Sequence, residues 1–313
     1  MRILIVGAGA IGGYFGARLI AAGRDVTFLV RARRAEQLRR TGLQVTSPLG
    51  DLSLPTPPTT TAETLKDFYD LVIVSSKSYD LEGSIKDFAA GVGPNSQVLP
   101  LLNGLRHLDV LDARFGASRV LGGLARISTT LDAEGRIHQL GPFNALAFGA
   151  RVSAARGTGA QSQVDAIAAA LQVSGFDAHL STDILHEMWE KWVFIAAAAA
   201  TTTLMRATVG DIVAAEAQDI PLGLFKECSA IAAANGFAPR EAAVKAGLSV
   251  LTAPGSLFTA SMLRDIEQGS RIESDHIVGD LLGRASNTPA PLLSTAYAHL
   301  RAYEARRKRQ AKT

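Results

Sequence analysis

The sequence is poor in the residue types that form disulfide frameworks and metal sites. It contains one cysteine, Cys228, which excludes an internal disulfide and argues against a thiolate metal site. Its six histidines show no HxxxH spacing, so we predict no zinc site. The longest apolar run, WVFIAAAAATTTLM, is too short to span a bilayer and carries threonines. We therefore expect neither a resident metal ion nor a membrane span.

An excess of one charge sign is also missing. The net charge is +3, and the aromatic and glycine signatures of RNA-binding domains are absent, so we predict no nucleic-acid partner. The basic tail, residues 306–309, is interpreted as a solvated helix C-terminus whose cations suit the helix dipole. The N-terminal MRILIVGAGA is typical of a strand and glycine turn rather than a signal peptide. These features favour a cytoplasmic protein.

The first part of the chain alternates apolar runs with helical stretches. The candidate strands are RILIV, DVTFLV, DLVIVSS, QVLPLLN and RVLGGLA. Helices are predicted between several of them, at Ile11–Ala22 and Leu81–Ala90. Unbroken apolar strands that alternate with helices favour a parallel sheet covered on both faces. From about Arg126, shorter runs predict antiparallel strands at the end of that sheet.

The remainder of the chain predicts a change of architecture. After a linker-like GTGAQSQ stretch, we expect a helix over Val164–Val173 and a strand over Asp177–Leu180. Alanine-rich segments separated by turn residues then predict helices only. The predicted fold is therefore α/β, with an N-terminal Rossmann-type doubly wound sheet at 1–181 and an all-helical C-terminal domain at 182–313. The alanine faces are compatible with packing inside that domain or with a homodimer.

A glycine-rich turn follows the first strand directly. Gly7, Gly9 and Gly12 match GxGxxG, in which the glycines allow a tight turn, approach of a pyrophosphate and helix packing. The strand before the motif and the helix after it favour a dinucleotide, and the lack of GK[ST] argues against a P-loop. The candidate phosphate-binding residues are Gly7, Ala8, Gly9, Ala10, Ile11 and Gly12.

The second strand ends on arginines instead of the carboxylate that would accept hydrogen bonds from the NAD ribose. Arg31, together with Arg33 or Arg34, offers guanidinium groups that suit a 2′-phosphate, whereas a carboxylate would repel it. This pattern favours NADP(H) over NAD(H). The alternative is a solvent-facing helix start that happens to be basic.

These features together resemble the ketopantoate reductase (2-dehydropantoate 2-reductase) family. The resemblance extends over nearly the whole chain, through SSKSYD, LLNGL, EMWEKWVF and SMLRDIEQGSRIESDHIVG in the family's order. It implies an N-terminal NADP-binding domain, a helical C-terminal domain and an active site in the cleft between them. It also implies reduction of a small-molecule 2-oxo acid to a 2-hydroxy acid by NADPH, and a link to pantothenate biosynthesis.

The resemblance implies roles for five further residues. Lys77 would lie beside the cofactor phosphates or nicotinamide ribose, and Asn103 would bridge cofactor and substrate. Lys191 matches the lysine that protonates the nascent alkoxide. Ser261 and Glu273 match the residues that hold the substrate carboxylate and hydroxyl group, and Glu273 is also counted among the catalytic candidates.

Each of these residues also has an ordinary structural interpretation. A lysine beside the developing alkoxide both stabilises charge and donates a proton, but Lys191 would equally suit a lysine that reaches from a core helix to water. Lys77 and Asn103 follow strands, where solvated lysines and NG turns are common. Glu273 opens a predicted helix and suits its dipole. His276, one turn on, is a rival acid, although a partly exposed helix histidine is the commoner case.

The chain departs from the family pattern where substrate-binding asparagines follow the lysine by one and two helical turns. Ile195 and Ala199 occupy those positions, so we expect a larger or more apolar substrate than ketopantoate. Arg206 is either a replacement carboxylate clamp or a surface arginine. A β-hydroxyacid or opine-type dehydrogenase, and a non-catalytic NADP(H)-binding sensor, are the alternatives to a reductase.

Overall fold

The computed structural model describes residues 1–151, 158–173 and 175–311. The chain forms two compact units. The first contains Met1–Leu102 and His107–Leu185, and the second contains Asn103–Arg106 and the chain from His186 onward. The segment Asn103–Arg106 thus leaves the first unit and joins the second. The predicted domain boundary at 181/182 stays a prediction.

The first unit contains both strands and helices, and helices form the second. The strands are β1 (Arg2–Val6), β2 (Asp25–Leu29), β3 (Leu43–Thr46), β4 (Leu52–Leu54), β5 (Thr59–Thr60), β6 (Tyr69–Val74), β7 (Val92–Pro100), β8 (Gly122–Leu131), β9 (Ile137–Gly149) and β10 (Asp177–Leu180). The helices are α1 (Ala10–Ala21), α2 (Ala32–Thr41), α3 (Leu81–Phe88), α4 (Arg106–Phe115), α5 (Thr158–Leu171), α6 (Ile184–Met205), α7 (Val209–Ala214), α8 (Asp219–Ala234), α9 (Glu241–Leu251), α10 (Ser261–Glu267), α11 (Asp280–Gly283) and α12 (Pro291–Gln310).

The first sheet is parallel throughout, with the strand order β5-β2-β1-β6-β7. The chain moves outward from β1 to β2 and β5, and then crosses to the other side of β1 through β6 and β7. The reversal beside β1 is the switch point at which open α/β sheets bind ligands, at the carboxyl ends of the strands. The N-terminal part of the chain therefore has the predicted Rossmann-type α/β fold.

A second sheet contains β10, β9, β3 and β4 in that order, with β8 paired to β9. The expectation of antiparallel strands from about Arg126 is confirmed, but their expected place at the end of the first sheet is wrong, because β8 and β9 form an antiparallel hairpin in this second sheet. The run RVLGGLA adds only a bridge between Val120 and Val98 to the first sheet before β8 begins at Gly122. A short turn joins β8 to β9, so local pairing satisfies their main-chain groups without the first sheet.

The helices of the first unit lie close to their predicted positions. α1 and α3 differ by one or two residues from the predicted Ile11–Ala22 and Leu81–Ala90. The predicted helix Val164–Val173 overlaps α5, which already begins at Thr158 and ends two residues earlier, at Leu171. The linker-like interpretation is therefore wrong from Thr158, where the alanine- and glutamine-containing sequence continues the helix, and Gly157 lies outside the described residues.

The helix α1 contacts strands of both sheets and so lies at the centre of the first unit. Its Phe15 belongs to one buried cluster with Ile5, Phe28 and Phe148. Burial of such side chains stabilises by about 1.5–3 kcal/mol each. This packing holds the N-terminus of α1, and with it the glycine turn, against the end of β1.

The second unit is helical, as predicted, and its tryptophans lie in the core. Trp189 stacks on Phe237 at 5.3 Å and contacts Trp192 at 5.0 Å between ring centroids. A π-helical turn, Asp275–Gly279, leads into α11. The basic tail forms the last turns of α12.

Two features are absent from the residues that the structure describes, 1–151, 158–173 and 175–311. None of the helices there is long and apolar enough to cross a membrane. The same residues contain no group of histidine, cysteine, aspartate and glutamate side chains arranged to hold a metal ion.

Candidate functional site

The turn between β1 and α1 requires glycine at two positions. Gly7 has a φ of +94°, in the left-handed region. A Cβ on Gly12 would lie 2.1 Å from Ser75 Oγ and 2.4 Å from the carbonyl oxygen of Gly7. Ser75, at the end of β6, donates a hydrogen bond to the carbonyl of Val6 at 2.9 Å. These contacts hold the turn closed.

Gly9 differs from its neighbours because the turn itself does not require it. Its φ is −87°, and a Cβ there would meet nothing within 4 Å. It is the residue that precedes α1, where unsatisfied N–H groups and the helix dipole favour an anion. The open space at Gly9 therefore fits the pyrophosphate of a dinucleotide, which needs close approach to the main chain.

Alanine substitutions at Gly9 and Gly12 are expected to separate binding from stability. Gly12→Ala should lower the free energy of unfolding by about 1–3 kcal/mol, because its Cβ overlaps Ser75 and Gly7. Gly9→Ala should lower the free energy of unfolding by less than about 1 kcal/mol, the cost of alanine at a helix N-cap, but weaken dinucleotide binding about 10-fold, the loss of about one hydrogen bond to a charged group. Calorimetry and fluorescence titration measure the two effects. Equal destabilisation by both variants would contradict this division.

The arginines after β2 have different surroundings. Arg34 is half-buried, and its Nη2 donates to the carbonyls of Ala8 at 3.0 Å and Gly135 at 3.1 Å. Its Nη1 donates to Gln37 at 2.7 Å, and burial lowers the pKa of Arg34. Arg34 thus joins the glycine turn to the β8–β9 turn. These contacts suit an arginine that supports the glycine turn better than one that binds a 2′-phosphate.

Arg31 lies at the surface, immediately before α2. Its Nη2 is 3.5 Å from Asp80 Oδ2, with the two side chains 73% and 41% exposed. Lys77 is also exposed and precedes a one-turn 3₁₀ helix that ends at Asp80. The ion pair joins the chain segments that follow β2 and β6. Two of the predicted cofactor residues, Arg31 and Lys77, therefore lie near Asp80.

In the second unit, Lys191 and Asn103 are brought together. Lys191 is half-buried on α6, next to the buried Trp192, and its Nζ donates to Asn103 Oδ1 at 3.0 Å. The two residues are 88 positions apart in the chain. The contact places an ammonium group beside a polar amide, an arrangement that can stabilise negative charge on a nearby oxygen.

Glu273 and His276 lie at the start of the turn that precedes α11. The carboxylate-bearing Glu273 is 9% exposed, and its main-chain carbonyl accepts the N–H of Ile277 at 2.9 Å. The expectation of a partly exposed His276 is wrong, because this residue is only 8% exposed. Burial lowers its pKa, and its ring hydrogen-bonds to the main chain of Asn103.

Ser261 and Arg206 occupy more open positions. Ser261 is exposed at the first residue of α10, and the N–H of the preceding Ala260 donates to Thr202 Oγ1 on α6 at 3.3 Å. Thr202 thus links the start of α10 to the helix that carries Lys191. Arg206 is exposed directly after α6, with a φ of +52°, which suits the surface interpretation of this arginine.

Two contributors to these sites were missed from the sequence, and a third, Arg34, was predicted to bind the 2′-phosphate instead. Ser75 closes the glycine turn, Asp80 pairs with Arg31, and Arg34 supports the turn instead of facing solvent. The SSKSYD segment contains two of them, and small polar residues at the end of a parallel strand were the available signal.

Comparison with known proteins identifies the family. Residues 3–152 match the family described as "Ketopantoate reductase PanE/ApbA", and residues 183–304 match its C-terminal part. The chain is 37% identical over 312 residues to "Uncharacterized oxidoreductase YkpB" of Bacillus subtilis, covering 97% of this chain and 99% of that protein.

Two solved structures are also similar to this chain. The 2-dehydropantoate 2-reductase from Geobacter metallireducens is 30% identical, with a TM-score of 0.86 and coverage of 96% and 99% of the two chains. D-Mandelate dehydrogenase with NADH and anilino(oxo)acetate is 22% identical, with a TM-score of 0.86 over 98% and 100%, and shares the fold. With both family models matched in order, the chain belongs to the ketopantoate reductase family of oxidoreductases.

Proposed function

We propose that the protein reduces a 2-oxo acid to the 2-hydroxy acid, with NADPH as the hydride donor and Lys191 as the proton donor. The observation that carries the proposal is the 3.0 Å hydrogen bond from Lys191 Nζ to Asn103 Oδ1, beside buried Trp192. A held ammonium group stabilises the charge that develops on a carbonyl oxygen and can donate a proton to it. When bound, NADPH supplies the hydride.

The chain's own residues favour the phosphorylated dinucleotide. Arg31 is an exposed cation at the end of β2, where a carboxylate would be expected for the unphosphorylated form. Gly9 leaves room for the pyrophosphate, and Lys77 adds a second exposed cation. In this proposal Arg31 binds the 2′-phosphate, and Asp80 holds the guanidinium group when no phosphate is present.

Asn103, Ser261 and Glu273 are proposed to bind the substrate. Asn103 keeps the Lys191 ammonium group in place through its amide oxygen and can donate to the substrate through its amide nitrogen. Ser261 has an exposed hydroxyl for the substrate carboxylate, and Glu273 is proposed to accept from the hydroxyl group of the product. Thr202 supports Ser261 through the main chain of Ala260.

The α6 face beyond Lys191 favours a substrate with an apolar side chain. Ile195 lies one turn after Lys191 on the same face and is half-buried, whereas Ala199, a further turn on, is 2% exposed. Neither side chain can pair with a substrate hydroxyl, and an unpaired hydroxyl is costly once it is buried. We therefore propose a 2-oxo acid without further polar groups.

The test compares ketopantoate with 3,3-dimethyl-2-oxobutanoate, which lacks only its hydroxyl group. We expect NADPH consumption with both acids and a kcat/KM about 10-fold higher for the apolar acid. The lower value for ketopantoate is the cost of burying its hydroxyl group without a partner. Ile195→Asn should narrow the difference, with Ile195→Leu as the apolar control. Ala199 is too buried for a clean asparagine variant. A preference for ketopantoate that Ile195→Asn leaves unchanged would overturn the proposed substrate class.

A panel of larger 2-oxo acids, run with NADPH and with NADH, tests the proposed reaction itself. Tight NADPH binding without turnover of any of them would instead support the sensor alternative. Assembly as a homodimer stays a prediction, which light scattering of the purified protein tests.

A further inference from the structure

The segment Asn103–Arg106 packs closely against another residue of the second unit, His276. Gly104 has a φ of +74°, and a Cβ there would lie 2.8 Å from the main-chain oxygen of His276 and 3.2 Å from its ring carbon Cδ2. Only glycine satisfies both conditions. The main chain beside Asn103 is therefore packed directly on His276.

The same neighbourhood contains a closed circuit of contacts around Lys191. Its Nζ donates to Asn103 Oδ1 at 3.0 Å, and the main chain of Asn103 hydrogen-bonds to the ring of His276. His276 is followed in the chain by Ile277, whose carbonyl accepts from Trp192 Nε1 at 2.8 Å. Trp192 is the residue after Lys191, so the circuit returns to its start. π-Helical turns such as that of His276 are frequent at functional sites.

Burial favours a neutral ring at His276. Burial is the largest influence and lowers the pKa of His276, and Arg106 acts in the same direction. Glu273 and Asp280 oppose this effect without reversing it. A neutral imidazole still donates one N–H to a carbonyl, but it has no ionisable proton to give to an alkoxide at neutral pH.

We propose that His276 is a positioning residue, whose buried ring holds the main chain of Asn103 so that the Asn103 amide stays aligned with the Lys191 ammonium group. This inference rests on the proposed reductase function. In this role His276 does not donate the proton, and its burial beside Gly104 keeps the ring against the main chain next to Asn103. The ring acts through Asn103 and is not itself in contact with the reacting atoms.

The test is a double-mutant cycle of His276→Phe and Asn103→Ala. His276→Phe removes the N–H and keeps an aromatic ring, and we expect it to lower kcat about 3- to 10-fold, the value of one neutral hydrogen bond. In the Asn103→Ala background the same change should have no further effect, since the group that it aligns is gone. His276→Gln, which retains an N–H donor, should recover part of kcat. His299→Phe, on the half-buried face of α12, is the matched control and should be neutral.

Two further readouts distinguish the possible failures. The pH profile of kcat/KM should keep its shape in His276→Phe. If the fall in kcat/KM at high pH disappeared in this variant, His276 would be the proton donor and the proposal would be overturned. Hydrogen exchange of the 101–106 segment should quicken in His276→Phe but not in His299→Phe. If the wild type reduced no 2-oxo acid, the proposed function would fail. Hydrogen exchange of the 101–106 segment would still show whether His276 holds the main chain of Asn103. Unchanged exchange, or equal loss of kcat in both backgrounds, would overturn the role of His276.

Discussion

Lys191→Ala is expected to lower kcat for 2-oxo acid reduction by about 10²- to 10⁴-fold, the usual contribution of a positioned proton donor. The variant removes the ammonium group that donates to Asn103 Oδ1 and leaves the surrounding tryptophan packing unchanged. Steady-state rates with saturating NADPH and the best substrate of the panel measure the effect. Thermal unfolding, recorded in parallel, should change little.

Two further lysine variants show whether the lost group is a proton donor or only a charge. Lys191→Arg keeps the positive charge, but arginine does not give up a proton at neutral pH, so its kcat should remain low. Lys245→Ala removes an exposed lysine of α9 and should have wild-type activity. Wild-type kcat in Lys191→Ala would end the proposed role of this residue.

Arg31→Ala is expected to weaken NADPH binding about 10-fold and to leave NADH binding unchanged. A guanidinium–phosphate hydrogen bond contributes about 1.5–3 kcal/mol, and the exposure of Arg31 places the effect at the lower end. Fluorescence titration with both dinucleotides gives the two affinities. The effect should diminish as salt is raised, because the pair is at the surface.

Two other arginines provide the controls for Arg31. Arg39→Ala, on α2, removes an exposed arginine paired with Glu36, and it should change neither affinity. Arg34→Ala should weaken binding of both dinucleotides, because Arg34 holds the carbonyl of Ala8 in the glycine turn. An equal loss of NADPH and NADH binding in Arg31→Ala would remove the basis for NADP preference.

Local signals predicted the first sheet well. β1, β2 and β6 are short apolar runs with turn residues at their ends, and each pairs as a parallel strand should. The prediction was wrong for β8, because an apolar run does not specify which strand will pair with it. A register and a partner are decided by the whole sheet and by the turn that follows.

The candidate site was predictable to different degrees. Gly7 and Gly12 were identifiable because glycine is required by their local conformation or close contacts. The burial of His276 was not, since a single histidine on a helical pattern carries no sign of which face will be covered. Nor did the LLNGL pattern indicate that Asn103 would join the second unit.

The sequence by itself determined the nucleotide-binding turn, the basic end of β2 and the order of an α/β unit before a helical one. Each of these depends on neighbouring residues, through main-chain conformation and hydrophobic periodicity. Only the tertiary structure decided that Lys191 meets Asn103, 88 positions away, and that Arg34 supports the turn while Arg31 stays exposed. Contacts between distant side chains depend on how whole elements pack, because burial and hydrogen bonding are satisfied by the fold as a unit.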